Sequence, residues 1–172
     1  MTPLRIAAGA LALSLLAAPA LAQTAPTGAA PAAPAPPVVR PPYGPTITLS
    51  QAKAAVAAAE AEARRNDWTV VITIVETNGA VVMSEKMDGT QYGSIEVSKG
   101  KATTAALFRR PSRDFAAGMA GGNAATLALG VVPIEGGELI LVDGRIIGAI
   151  GVSGGTSPQD GQMARAGAAA VK

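Results

Sequence analysis

The chain has 172 residues and a formal net charge of +2, with 14 basic and 12 acidic side chains. It contains no histidine and no cysteine, which excludes histidine general bases and imidazole or thiolate metal ligands and argues against zinc and iron–sulfur sites. The near-neutral charge and the content of one Trp, two Tyr and two Phe argue against nucleic-acid binding.

The first 22 residues have the pattern of a secretory signal peptide. Arg5 supplies the positive start, an apolar run covers Ile6 to Ala18, and Ala20-Leu21-Ala22 forms a small-residue cleavage site before Gln23. A membrane anchor is the alternative, but the run is shorter than the roughly 20 residues that a span needs. We therefore expect a periplasmic or secreted protein with no membrane span after cleavage.

Residues 23–45 are rich in proline and alanine and end in Pro41-Pro42-Tyr43-Gly44-Pro45. Such a composition cannot bury a core, so it predicts a disordered, partly polyproline linker. The linker would serve as a spacer that holds the domain away from a surface, or it would be a simple tail. The globular domain then spans residues 46–172, which is long enough for one hydrophobic core.

The first half of this domain predicts a helix, a hairpin and two more helices. Apolar residues recur at helical spacing over 49–66, and most of them are alanines. Two β-branched runs, 68–77 and 80–87, flank Asn78-Gly79, which is a strong hairpin signal. Residues 91–108 predict a second helix, in which Gly100 indicates close packing or the approach of a ligand. Residues 114–120 predict a short third helix.

The second half predicts three strands and a last helix. The strands cover 127–134, 138–142 and 145–152, and the last two are joined by Asp143-Gly144. Ser157 is the expected N-cap of a helix that runs to about residue 171, with Pro158 and Asp160 in its first turn. The order α-β-β-α-α-β-β-β-α predicts a single α+β domain with a five-stranded, mostly antiparallel sheet and packed helices.

Two segments could bind an anion. The loop Ser153-Gly154-Gly155-Thr156 precedes the last helix, so its backbone N–H groups could hold an anion, or its glycines could simply turn the chain. A basic cluster lies around the second helix, where it could recognise carboxylates or only complement the helix dipole. Its members are Lys99, Lys101, Arg109, Arg110 and Arg113. The carboxylate pairs Glu85/Asp88 and Glu135/Glu138 are expected to be solvated rather than catalytic.

Several ordered motifs resemble one bacterial family. They are Met87-Asp88-Gly89, the run from Lys99 to Phe108 followed by Arg110-Pro111-Ser112, and the C-terminal segment from Ile147 to Gly155. Together they are similar to the GlcG/HbpS-like family, which in turn is similar to the C-terminal domain of PduO-type proteins. The resemblance covers residues 49–171. It implies haem binding, in some members haem degradation, and a homo-oligomer of compact α/β domains around an antiparallel sheet.

The resemblance also implies a site. Haem would be the cofactor, yet the absence of histidine leaves its axial ligand unknown. Tyr92, Met87 and Met119 are weak candidates for the iron, and the methionines could equally be core fillers. The residues expected to bind the ligand are Asp88, Tyr92, Lys101, Arg109, Arg110, Ser153, Gly154 and Gly155.

Three functions follow from these observations. The first is an exported haem- or tetrapyrrole-binding protein that is not an enzyme, or only a weak one. The second is a binder of small carboxylates, such as glycolate-pathway metabolites, at Lys101, Arg110 and the loop 153–156. The third is a haem-degrading enzyme, against which the lack of histidine and cysteine argues. Alanine-rich faces on 49–66 and 157–171 are expected to pack between subunits of the homo-oligomer.

Overall fold

The computed structural model describes residues 38–172, so the predicted signal peptide and the first part of the predicted linker lie outside the described residues. This region forms a single α+β domain with one antiparallel sheet in the strand order β2-β1-β4-β3. None of its helices is long and apolar enough to cross a membrane. The elements are α1 (Leu49–Arg65), β1 (Val71–Glu76), β2 (Val81–Lys86), α2 (Gly93–Phe108), α3 (Ser112–Ala120), a 3-10 segment (Ala124–Leu129), β3 (Gly137–Val142), β4 (Arg145–Ser153) and α4 (Ser157–Ala169).

The sheet is covered on both faces. Alternate residues of β1 divide between them, because side chains point to opposite faces along a strand. Ile72 and Ile74 join the larger core beneath α1 and α4. Val75 joins the smaller core beneath α2, with Ala102 as one of its alanines. The domain is therefore a sandwich of three layers, and α2 alone covers the central strands on its face.

The alanine-rich faces of α1 and α4 pack against each other inside the domain. Ala52, Ala55 and Ala59 of α1 are fully buried. A Cβ atom added at Gly167 of α4 would lie 2.7 Å from the carbonyl oxygen of Ala55, so the two backbones approach closely. These faces, which we expected between subunits, are thus used within one chain.

The sheet has four strands, so the expected fifth strand over 127–134 is wrong. Residues 124–129 form a 3-10 segment instead, and Gly130 follows with a φ of +66°, which is outside the strand region. The N–H of Val132 donates to Thr104 Oγ1 at 2.9 Å rather than to a neighbouring strand. The apolar residues of this run serve packing rather than strand pairing, because Val132 lies against Gly100 of α2.

The turns and caps follow from local sequence with one shift. Asp143 and Gly144 both have positive φ, at 50° and 72°, as a two-residue type I′ hairpin requires. The N-cap of α4 is Thr156, whose N–H donates to Gln159 Oε1 at 2.8 Å, and not Ser157. Gln159 rather than Asp160 completes the capping box, while Asp160 lies in the first turn of α4 and accepts the N–H of Gly155 at 3.0 Å.

The described end of the predicted linker is extended but is held against the domain. Gly44 N–H donates to the carbonyl oxygen of Ile146 at 2.7 Å, and Ile146 N–H donates to that of Pro42 at 2.9 Å. The hydroxyl of Tyr43 donates to the carbonyl oxygen of Ala106 in α2 at 2.9 Å. Residues 42–45 therefore extend the packed domain beyond the expected boundary at residue 46.

Candidate functional site

The residues predicted to bind a ligand do not form one site. Asp88 and Tyr92 lie before the first residue of α2, and Arg109 and Arg110 come after its last. Lys101 lies within α2, and residues 153–155 lie at the end of β4. Lys101 and Arg110 are nine positions apart, which corresponds to roughly 13 Å along a helix at 1.5 Å per residue. A site that combines Lys101, Arg110 and the glycine loop is therefore not assembled.

Lys101 is part of a buried ion pair. Its Nζ lies 2.7 Å from Asp160 Oδ2 and donates to the carbonyl oxygen of Val152 at 3.1 Å. The two side chains are only 1% and 3% exposed. Burial raises the pKa of Asp160, while the hydrogen bond and charge of Lys101 act in the opposite direction. The pair joins α2 to α4 and leaves no ammonium group for a ligand.

The glycine loop at 153–155 is also satisfied internally. A Cβ atom at Gly154 would overlap the carbonyl oxygen of Thr69, so glycine is required by close packing. Gly155 N–H donates to Asp160 Oδ1 at 3.0 Å, and Ser153 Oγ lies 3.2 Å from Ser94 Oγ. These contacts favour the interpretation in which the glycines only turn the chain, because Ser153 and Gly155 already make hydrogen bonds within the protein.

The candidate iron ligands are scattered. Tyr92 is 84% exposed, and the Nζ of Lys86 lies 5.4 Å from its ring centroid. Met87 packs against the larger core, Met119 lies half-buried in α3, and Asp88 is exposed in the turn after β2. Within residues 38–172 no cluster of three carboxylates could hold a metal ion. None of these side chains lies in the cavity described next.

An open, mostly apolar cleft of about 370 Å³ lies between α2 and the 3-10 segment; we call it the α2 cleft. Leu107 and Leu129 are about half exposed in its walls, at 48% and 49%. Lys99 and Glu96 are exposed at its edge, and their charged atoms are 3.7 Å apart. The lining residues are Glu96, Lys99, Gly100, Thr103, Thr104, Leu107, Phe108, Leu129 and Gly130. Sequence reasoning missed this cleft because Leu129 and Gly130 were assigned to a strand.

Arg109 and Arg110 lie in a second cavity of about 390 Å³, which also contains Arg40 and Arg113; we call it the arginine pocket. Arg109 ends α2 with a left-handed backbone, at φ 52° and ψ 42°, and its guanidinium lies 5.6 Å from the Tyr43 ring centroid. The guanidinium of Arg110 lies 3.7 Å from the ring centroid of Phe115, within cation–π distance. Of the residues predicted to bind the ligand, Arg109 and Arg110 line this pocket.

The pair Glu135/Glu138 is not solvated as expected. Glu138 is 7% exposed and pairs with Arg113, and its Oε1 lies 3.5 Å from a nitrogen of Arg165. Glu135 pairs with Arg165 at 2.8 Å. Burial raises the pKa of Glu138, and the two arginines act to lower it. These carboxylates hold α3 and α4 to β3, which explains their position without a catalytic role.

Comparison with known proteins gives consistent matches. A family model described as haem degrading protein HbpS-like matches residues 47–169. Protein GlcG of Escherichia coli (strain K12) is 38% identical over 110 residues, which cover 62% of this chain and 82% of GlcG. The crystal structure of HbpS superposes with a TM-score of 0.70 at 29% identity and covers 75% of this chain and 92% of that chain.

A solved structure of a PduOC:heme complex superposes with a TM-score of 0.68 at 26% identity, covering 74% of this chain and 96% of that chain. The relation to PduO expected from the motifs is therefore confirmed, as is the resemblance to GlcG and HbpS. Since the family model spans nearly all of the described domain, the chain belongs to the HbpS-like family.

Proposed function

We propose that this domain binds haem or a related tetrapyrrole in the α2 cleft. The observation that carries the proposal is the cleft itself, an open and mostly apolar cavity in which Leu107 and Leu129 are half exposed. The name of the related PduOC:heme complex supports the same class of ligand. Small-molecule sites are commonly concave and apolar with a few polar groups that set orientation.

The lining fits the edge of a porphyrin. Leu107 and Leu129 present apolar surface that a flat macrocycle would cover, and burial of such surface is favourable by about 25 cal/mol per Å². Lys99 at the cleft edge has only the distant carboxylate of Glu96 as a partner, so its ammonium could pair with a propionate. Bound haem would supply a redox-active iron that can take an axial ligand.

The lining offers unusual choices for that ligand. It contains the Lys99 amine, the Glu96 carboxylate and the hydroxyls of Thr103 and Thr104, but no methionine or tyrosine. Thr104 Oγ1 already accepts the N–H of Val132. We therefore expect affinity to come mainly from apolar burial and propionate contacts, with a weak axial ligand.

Haem titration of the mature chain tests this proposal. We expect a saturable Soret shift at tens of micromolar haem or below, which corresponds to about −6 kcal/mol of binding free energy. Leu129→Asp should weaken binding at least tenfold. Leu127→Asp is the matched control, because Leu127 lies in the same 3-10 segment, is 63% exposed, is not part of the cleft lining and is given no other role. Absence of a Soret shift, or equal losses in both variants, would refute the assignment.

Haem binding without degradation is the first candidate function. The family description makes haem degradation the second candidate. Incubation of the haem complex with a reductant in air separates them, because a degrading enzyme would yield a biliverdin-like product. Formation of that product at a rate dependent on the cleft would establish the second candidate instead.

Export is part of the proposal and rests on the N-terminal sequence pattern. N-terminal sequencing of the protein recovered from its native cells should begin at Gln23 in a periplasmic or secreted fraction. An intact Met1 in the cytosolic fraction would contradict this.

We also propose that the protein is a homo-oligomer. The alanine-rich faces are used inside the domain, so the contact has to involve other surfaces, and Leu49 and Val81 are exposed apolar candidates at 53% and 47%. Light scattering should give a mass above that of one chain, and a monomer mass would refute the proposal.

A further inference from the structure

The arginine pocket is separate from the α2 cleft and has a different chemistry. One wall is the segment Val38–Pro41, a second is formed by the end of α2 and the start of α3, and the floor is the edge strand β3. Leu139 and Leu141 supply apolar surface on β3, and Leu141 is 41% exposed. The pocket thus combines apolar surface on β3 with the positive charges of arginine side chains around it.

The charge in the pocket is not balanced by the protein. Four arginines line it, against the carboxylates of Asp114 and Glu138. Glu138 already pairs with Arg113 and Arg165. Within residues 38–172, Arg40, Arg109 and Arg110 form no salt bridge, and residues 1–37 contain no aspartate or glutamate that could supply one.

Arg110 is the most constrained of these cations. Its guanidinium lies over the ring of Phe115, which is only 2% exposed, so the group is fixed on a rigid support. Its Nε is buried and has no hydrogen-bond partner. Burial and the nearby charge of Arg40 lower its pKa. An unpaired donor on a partly desolvated cation is a group that an incoming anion would satisfy.

We propose that the arginine pocket binds the carboxylate of an organic acid whose apolar body lies against Leu139 and Leu141. A planar guanidinium recognises a carboxylate through two parallel hydrogen bonds, and Arg110 is held in place for this. The apolar floor favours an acid with a hydrocarbon or aromatic body over inorganic phosphate. The carboxylate belongs either to a free organic acid or to a propionate of a haem held in the α2 cleft.

Calorimetric titration of the haem-free mature chain with benzoate tests the site without reliance on haem binding. Benzamide, which has the same shape without the charge, and inorganic phosphate are the comparison ligands. We expect benzoate to bind at least tenfold more tightly than either. Arg110→Gln and Arg40→Gln should each weaken benzoate at least tenfold, which corresponds to about 1.4 kcal/mol.

Arg64→Gln is the matched control, since Arg64 is an exposed arginine of α1 that does not contribute to the pocket. It should leave benzoate affinity unchanged. The proposal is overturned if benzoate fails to bind at millimolar concentration, if benzamide binds equally, or if Arg110→Gln and Arg64→Gln behave alike while both remain folded by circular dichroism.

The source of the carboxylate is decided by haem titration of the same variants. If Arg110→Gln weakens haem tenfold and benzoate competes with haem, the pocket receives a propionate. If haem affinity is unchanged while benzoate affinity falls, the pocket serves a free acid. Because the benzoate arm uses no haem, a negative haem result alone refutes the proposed function and leaves this site standing.

Discussion

Lys101→Met is the substitution for which the structure makes the sharpest energetic prediction. Methionine keeps the unbranched chain and removes the ammonium, so Asp160 loses the partner at 2.7 Å and remains almost fully buried. Removal of one member of a buried ion pair typically costs about 3–5 kcal/mol, because the other charge is left uncompensated. We expect a loss of that size in the free energy of unfolding, and therefore a fall of roughly 10–20 °C in Tm.

The loss should depend on pH with a defined sign. Without Lys101, burial acts unopposed by that charge and raises the pKa of Asp160 further above its unfolded value. A group whose folded-state pKa is raised contributes stability that is present at low pH and is lost as pH rises through the folded pKa. The deficit of Lys101→Met against the wild type should thus be smallest near pH 4 and should grow toward neutrality.

Urea unfolding at several pH values measures both effects. Asp160→Asn completes a double-mutant cycle, since asparagine retains an oxygen that can accept the N–H of Gly155. The double variant should lose much less than the sum of the single variants. Lys99→Met, an exposed neighbour on α2, should change stability by no more than about 0.5 kcal/mol. A loss below about 1 kcal/mol for Lys101→Met, or an additive cycle, would refute the account.

Three further perturbations have predictable outcomes. Gly151→Ala would place a methyl group against the carbonyl oxygen of Ser98 and should lower the free energy of unfolding in urea by about 3 kcal/mol or more. Gly144→Ala, with open space around it and φ at 72°, should lower it by only about 1–2 kcal/mol, and equal losses would contradict this. Because burial raises the pKa of Glu138, its contribution to stability falls as pH rises through the folded-state pKa, so Glu138→Gln should gain on the wild type as pH rises above 4.5, the ordinary pKa of glutamate; parallel curves would refute it. Tyr43→Phe should lower thermal stability by about 1 kcal/mol, and no change would show that its bond to α2 is not formed.

Local patterns predicted most of the fold because their causes are local. The hairpin at Asp143-Gly144 follows from the need for two positive φ angles, and the α1 boundaries follow from helical periodicity. The strand predicted over 127–134 was wrong because Gly130 and the contact of Val132 with Gly100 determine the conformation of this segment. A contact between α2 and a segment some 30 positions later has no signature in the local sequence. The α2 cleft depends on that same segment and was lost with it.

The candidate site was harder to predict because residue type does not reveal a residue's partner. Lys101 and Asp160 are 59 positions apart, and only the packed structure shows that each satisfies the other. Arg109 and Arg110 looked like cations that complement a helix end. In the described domain neither arginine forms a salt bridge with a carboxylate. That property depends on where every acidic side chain lies, so the sequence alone does not reveal it.

The ion pair that joins α2 to α4 also bears on the order of folding. Domains emerge from the ribosome from the N-terminus onward. Until α4 emerges, the buried position of Lys101 would contain an ammonium with no counter-charge, which is costly to place in a core. A nascent chain that ends before residue 160 should therefore be unable to close α2 stably over the sheet. Because of Lys101, stable packing of α2 therefore has to wait until α4 has been synthesised.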